Sequence, residues 1–336
     1  MDLFTEYMGL ALRNPLVASA SPLSYTVDGV RRLADAGVGA VVLYSLFEEQ
    51  LREEAERHAR LVDGPAESFP EALDYVPAIV KEDAGPRRYL SLVERAAAAV
   101  EVPVIASLNG VTPEGWTDYA RAMEDAGAAA IELNIYYLPG DPHISGHDVE
   151  QRHIDVLERV KAVVTVPVAV KLSPYFSSTG EMALRLDEAG ADALVLFNRF
   201  LQPDINPEEL AFSSTVALSS TADGRLPRTW IALLRGKVRS ALAGTGGVEG
   251  PADVAMYLLA GADVVMTASA LLRRGPGYVS TLLDGLSTWM ARKGFSSVDE
   301  LRGMLSAPPG ADEAEHERAG YVSALRAANA RAHGPW

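Results

Sequence analysis

The chain has 336 residues, no cysteine and a net charge of −15, with 48% hydrophobic and 22% charged residues. That is enough apolar material for a large core and too much for a disordered chain, while the missing cysteines exclude disulfides, thiolate metal sites and a cysteine nucleophile. The acidic excess, with no basic block, argues against nucleic acid as a partner but leaves room for a small anion held by a few local cations.

The N-terminal stretch lacks the basic start and apolar core of a signal peptide, and no run of about 18 apolar residues is present to span a membrane. A soluble, cytoplasmic protein without membrane partners is expected. The first apolar strand falls in "NPLVAS" at 14–19. One phrase then recurs along the chain as "LADAGVGAVVL" at 33–43, "MEDAGAAAIEL" at 123–133, "LDEAGADALVL" at 186–196 and "LLAGADVVM" at 258–266. In each copy an amphipathic helix ends in Ala-Gly, where glycine accepts the left-handed backbone that stops a helix, and a strand apolar on both faces follows, as in a buried parallel sheet.

Between the first and second of these copies lies the segment 46–84. Its start, "LFEEQLREEAERHARL", predicts a charged helix with Glu53–Arg57 and Glu56–Arg60 at i,i+4 spacing, a solvated face or a subunit contact. Further strands are expected in "VPVIASL" at 102–108, "VPVAVKL" at 166–172 and "RSALAG" at 239–244, with helices over 85–99, 113–126, 149–163 and 177–189. Eight strands alternating with helices predict parallel pairing and a closed (β/α)8 TIM barrel, the alternative being an open doubly wound sheet. Segment 46–84 is then an insertion after the second strand, and two helices in "GYVSTLLDGLSTWMARKG" and "SVDELRGML" form a C-terminal extension. A loop follows in "SAPPGADEAEHERAG". One barrel over 1–310 with a tail over 311–336, mobile at its end, is the expected organisation.

Active sites of such barrels lie at the C-terminal ends of the strands. The residues expected there are Ser19 and Ala20 after the first strand, Tyr44 and Ser45 after the second, Ser107 and Asn109 after the third, and Asn134, Tyr136 and Tyr137 after the fourth. Lys171 closes the fifth strand, where a buried ammonium calls for an anion nearby; Asn198 and Arg199 follow the sixth. After the seventh come Gly246 and Gly247, read as exposed backbone N–H groups at a helix start that bind phosphate. Ala268 and Ser269 open a matching turn after the eighth, and paired turns there are the recurrent phosphate site of these barrels. A flat, phosphorylated, hydrogen-bonding cofactor fits the set. FMN meets that description, with Lys171 stabilising the anion of its reduced ring.

The ordered set "NPLVASAS", "ELN", "VPVAVKL", "GTGGV" and "LLAGADVVMTASALL" resembles the dihydroorotate dehydrogenase family over residues 1–290. It is closest to the cytosolic class 1 branch and to a dihydroorotate dehydrogenase-like subgroup, which "RLPRTWIALLRG" and "SVDELRG" also resemble. The resemblance implies an FMN flavoprotein of pyrimidine biosynthesis, a homodimer acting on a small molecule. It implies FMN contacts from Ser19, Ala20, Ser45, Asn109, Lys171, Gly246, Gly247, Ala268 and Ser269, and substrate contacts from Asn134 and Asn198.

The chain departs from that pattern in four places. Tyr44 stands where the family has a lysine that touches flavin and substrate. The family's Cys or Ser base, in an Asn-x-Ser-Cys-Pro-Asn type loop, falls on Tyr137, and its second asparagine falls on Pro139. The asparagine of the long loop after the second strand has no counterpart in "ESFPEALDYVP". A phenol titrates near 10 and makes a poor base at neutral pH but a serviceable acid. Tyr137 or Tyr136 is therefore a candidate proton donor opposite a flavin hydride, the other reading being that both tyrosines only cap the pocket. His143 and His147, in the same loop, are expected to be solvated. Three readings remain open at this point: a CH–CH oxidoreductase of this type, a catalytically silent FMN-binding protein with a regulatory or scaffold role, and a flavin-free barrel that holds a phosphorylated metabolite.

Overall fold

The computed structural model describes residues 1–50, 85–110, 116–137, 139–199, 204–213 and 217–308, with a few positions between 322 and 329. Strands are numbered in chain order. Eight parallel strands close a barrel: β3 (Leu16–Ala18), β4 (Ala40–Phe47), β5 (Val104–Gly110), β6 (Ala130–Ile135), β7 (Val168–Leu172), β8 (Ala193–Leu196), β11 (Ala241–Thr245) and β12 (Val264–Thr267). They stand round the ring in chain order, and β12 pairs with β3 to close it, which rules out the open sheet. The helices expected beyond the eighth strand are in place, and the segment expected as an insertion after the second lies, over 51–84, outside the described residues.

Alternation along each strand divides the core in two. Leu16, Val41, Val104, Ile131, Val170 and Leu194 face outward into the layer shared with the helices. Val17, Val42, Ile105, Ala130, Ala169, Val195, Ala243 and Met266 face inward. Both sets are buried, which is why the strands read as unbroken apolar runs. The repeated Ala-Gly stops act as expected: Gly37, Gly127, Gly190 and Gly261 all take positive φ where a helix turns into the next strand.

Two short hairpins went unread in the sequence. In the first, β1 (Thr5–Tyr7) pairs with β2 (Leu10–Leu12), and Met8 and Gly9 form a two-residue turn at φ 55° and 76°. Such turns usually carry Asn-Gly, so a methionine there hides the signal. This hairpin plugs the N-terminal end of the barrel with Tyr7, Met8 and Leu12, which belong to the interior cluster. In the second, β9 (Asp204–Asn206) pairs with β10 (Ala211–Ser213) beyond β8 and leaves Ile205, Leu210 and Phe212 exposed.

The expected helix in "GYVSTLLDGLSTWMARKG" spans Tyr278–Lys293, and "SVDEL" gives a single turn, Val298–Leu301. That turn ties the chain ends together, because Val298 N–H donates to Asp2 O at 3.0 Å and Arg302 donates to Thr5 Oγ1 at 2.6 Å. No described helix is long and apolar enough to cross a membrane. The charged helix expected at 46–61, apart from its first residues, lies outside the described residues. So do most of the loop expected at 306–320 and of the tail at 311–336.

The helix Gly146–Lys161 carries a buried His153. Its Nδ1–H donates to Val149 O at 2.8 Å and its ring meets Phe176 edge to face. Burial holds the imidazole down at about 4, aided by Arg152 and opposed by the Val149 carbonyl. The unfolded imidazole titrates near 6.5, so the unfolded chain binds the extra proton between these values and stability falls as pH drops through that window. Urea unfolding from pH 7 to pH 4 is expected to show that decline, and His153→Gln to remove up to about 3 kcal/mol of it. An equal decline in the variant contradicts this origin.

Candidate active site at the C-terminal end of the barrel

Strand register sets the polar side chains at the mouth. Asn109 pairs with Asn134, and Asn134 with Lys171, so three consecutive strands bring one polar group each to the same level. All three are buried. Asn198 Nδ2 donates to Asn134 Oδ1 at 2.6 Å, which joins the fourth and sixth barrel strands across the mouth. Below Asn134 on the same face lies Glu132, 1% exposed, whose Oε1 accepts from Lys171 Nζ at 3.3 Å. The anion that a buried lysine calls for is therefore supplied by the protein itself. Sequence reading missed Glu132, although a lone Glu two residues before Asn134 in an otherwise apolar run was a legible signal.

The second, third and fourth barrel strands run further than expected, so Tyr44, Ser45, Ser107, Asn109 and Asn134 stand within strands rather than after them. The ladder slips between Val42 and Ser45. Ser45 Oγ meets Ser107 Oγ at 2.8 Å, and buried Tyr89 brackets Ser107 by accepting from its N–H and donating to its carbonyl. Tyr44 is wedged between Tyr25, at 4.2 Å between ring centroids, and Tyr89, at 5.1 Å. Burial pushes its phenol above the ordinary value, so the side chain that replaces the family's lysine is uncharged at neutral pH.

At the other side of the mouth, Gly246 and Gly247 form a turn with φ 92° and 68°. It is not the first turn of a helix, which corrects the sequence reading. The next helix starts at Pro251, and the Asp253 carboxylate already accepts from Glu249 N–H and Gly250 N–H. Close packing requires glycine at 247, whereas a Cβ on Gly246 would meet only Asp223 O at 3.8 Å. A Cβ on Gly247 would lie 2.4 Å from Gly224 N. Tyr257 OH meets the carbonyls of Thr245 at 3.0 Å and Gly246 at 2.7 Å, which turns those acceptors away from the mouth.

Ser219, also unread in the sequence, bridges the two expected phosphate turns. Its Oγ accepts from Gly247 N–H at 3.3 Å and donates to Ser269 Oγ at 3.0 Å. A residue 28 positions from Gly247 and 50 from Ser269, in a polar loop, gives no periodic signal by which to find it.

Eight of the residues expected to contact cofactor or substrate line one cavity of about 170 Å³, namely Ser19, Ala20, Lys171, Asn198, Gly246, Gly247, Ala268 and Ser269, and Arg199 lines it as well. That volume equals about six waters, room for a phosphoryl group and part of its chain. A planar ring has to extend over the strand ends. Ser45, Asn109, Tyr44, Asn134, Tyr136 and Tyr137 do not line this cavity. Tyr136 and Tyr137 are half-buried in the loop after β6, with the Arg152 guanidinium 4.3 Å from the Tyr137 ring centroid, a cation–π contact. His143 and His147 are exposed as expected, and no cluster of metal ligands occurs among the described residues. A larger cleft of about 890 Å³ lies at the opposite end of the barrel, where Arg235, Arg239 and Arg302 pair with Asp263 and Asp187.

The family model described as dihydroorotate dehydrogenase matches residues 2–290. The catalytic subunit of dihydroorotate dehydrogenase B (NAD(+)) from Methanothermobacter thermautotrophicus is 29% identical over 314 residues, 89% of this chain and 97% of that protein. The protein of the same description from Methanocella arvoryzae is 30% identical, over 88% of this chain and 95% of its own length. The NAD-dependent dihydropyrimidine dehydrogenase subunit PreA of Escherichia coli is 27% identical, over 91% of this chain and 77% of its own.

The Gly246-Gly247 turn makes a direct prediction. Gly247→Ala places a Cβ against Gly224 backbone at positive φ and is expected to destabilise the fold by about 2 kcal/mol or more. Gly250→Ala, where a Cβ meets nothing within 4 Å, is expected to cost less than about 1 kcal/mol. Urea midpoints of the two variants decide it, and equal values contradict the close-packing role.

Proposed function

The chain belongs to the dihydroorotate dehydrogenase family, and on that premise we propose that it is an FMN-dependent oxidoreductase acting at a CH–CH bond of a small planar carbonyl or dihydropyrimidine-like compound. The observation that carries the reading is the convergence of eight residues, picked from separate strand ends, on one cavity beside the buried Lys171. FMN, when bound, supplies hydride transfer at its ring. The residues present fit such a group. Ser269 Oγ and the main chain of the Gly246 and Ala268 turns suit a phosphoryl group. Lys171 offers its ammonium to an anionic ring edge, and Arg199 adds a guanidinium to the cavity wall. Ser19 and Ala20 are small enough for a flat ring to approach the main chain.

The amide pair defines what a substrate must present. The bond from Asn198 Nδ2 to Asn134 Oδ1 leaves the Asn134 amide group as donor and Asn198 Oδ1 as acceptor. A ring with adjacent C=O and N–H groups matches both. Tyr44 adds an uncharged wall where the family pattern has a cation. Tyr137, or Tyr136 next to it, donates a proton to the substrate carbon opposite the hydride, and Arg152 over the Tyr137 ring restrains that side chain. With no side chain at Tyr137 suited to act as base, the favoured direction is reduction of an activated C=C bond. A homodimer extends the proposal: the exposed Ile205, Leu210 and Phe212 give it an apolar surface. A cytoplasmic location accords with it.

The test is an anaerobic titration of the yellow protein. NADH is the first reductant to try, since the names of the relatives carry NAD(+) or NAD. Bleaching by NADH and recolouring by a cyclic enone or a uracil is the expected result, and Tyr137→Phe is expected to slow recolouring by about 10²-fold or more. Bleaching by dihydroorotate instead assigns the oxidative activity. A flavin that no metabolite reduces leaves a binding protein without catalysis. Unchanged recolouring in both Tyr137→Phe and Tyr136→Phe removes the acid role.

A further inference from the structure

The pair beneath the mouth is expensive as a structural element. Glu132 is 1% exposed and Lys171 is 7% exposed, yet they share one contact at 3.3 Å, and Glu132 Oε2 has no hydrogen-bond partner among the described residues. Burying an ionised carboxylate with a single long contact costs more than the attraction returns, and apolar side chains of similar volume would stabilise the barrel at least as well. Other groups around it do not repair this. Ser107, level with Glu132 on the next strand, spends its hydroxyl on Ser45. Ala169 is level on the far side, and Tyr7 OH, rising from the hairpin below, is itself without a partner. The Tyr7 phenol is pushed well above its ordinary value, first by burial and then by Glu132 and Asp263.

What the pair does is fix the charge of the site. A lone ammonium at the end of β7 would present a full positive charge to the cavity. With Glu132 one layer below, the pair carries no net charge and the ammonium is anchored on its protein side, with Arg199 as a further cation of the cavity lining. We propose that Glu132 is a positioning residue that tethers Lys171 and offsets its charge, and thereby keeps the reduction potential of the bound flavin low. This rests on the FMN reading given above and deepens it: a flavin of lower potential gives up hydride more readily, which suits reduction of an activated C=C bond. Glu132 touches neither cofactor nor substrate in this assignment and acts only through Lys171.

The experiment compares the midpoint potential of the protein-bound flavin in wild type, Glu132→Gln and Glu132→Asp, alongside FMN affinity and thermal unfolding of each. Glu132→Gln removes the charge at constant shape. Its potential is expected to rise by about 30 mV, a tenfold change for a two-electron couple, with the dissociation constant of sulfite for the flavin falling in parallel. Glu132→Asp keeps the charge and is expected to remain near wild type in potential even if its stability drops, which separates the charge effect from packing. In a Lys171→Met background, Glu132→Gln is expected to produce no rise. A yellow protein whose potential is unchanged by Glu132→Gln, or shifted equally in the Lys171→Met background, overturns the role of Glu132 and leaves the FMN reading standing. A wild-type protein that takes up no FMN overturns both.

Discussion

Ring closure is the constraint on which the rest of this structure depends. Once β12 pairs with β3, no edge remains and every strand is covered on both faces. The inward face must then be filled or made polar, residue by residue, along each strand. In the lower part it is filled by Ala40, Ala130, Ala169, Val42 and Ile105, with Tyr7 and Met8 as a plug from below. One step higher the same face carries Glu132 and Ser107, and at the top Asn109, Asn134 and Lys171. The site is this change from apolar to polar filling, and strand register alone makes neighbours of residues far apart in sequence.

Among the described residues, the charges at the cavity of the mouth are Lys171, with Glu132 beneath it, and Arg199, and the groups between them are neutral. Tyr44 is a neutral phenol stacked on Tyr25. The amides Asn134 and Asn198 are bonded to each other, and Lys171 is paired with Glu132. Such a surface recognises ligands by donor and acceptor pattern rather than by charge, while the turns beside Ser269 and Gly246 are left to hold an anion. That division matches a cofactor with a polar ring and a phosphoryl end. On the proposed reading, an acidic protein with a net charge of −15 would hold a phosphate through main-chain and hydroxyl donors, with the Arg199 guanidinium in the same lining.

Much of this was legible in the sequence because it is periodic. The Ala-Gly stops at Gly37, Gly127, Gly190 and Gly261 mark the ends of helices, and the doubly apolar strands after them fix parallel pairing. The strand count then points to the strand ends, and with them to Lys171, Gly246 and Ser269. What escaped has no period. Ser219 reaches the site through a loop and a short 3-10 turn. Glu132 was hidden by its own strand, since the repeat made the run look uniformly apolar. Gly247 lines the cavity, but the approach of Gly224, rather than a helix start, requires glycine there. The hairpin at Met8–Gly9 escaped because a methionine occupies a turn position that normally advertises itself with asparagine.

The central claim is that the cavity between Lys171 and the last two turns is the cofactor site. Crystals grown with excess FMN test it most directly. The account predicts one flavin per chain with its phosphoryl group between Gly246 and Ser269 and its ring over the strand ends beside Lys171. Density for the phosphoryl group in the cleft at the opposite end of the barrel, or no flavin at the mouth at saturating FMN, would contradict it.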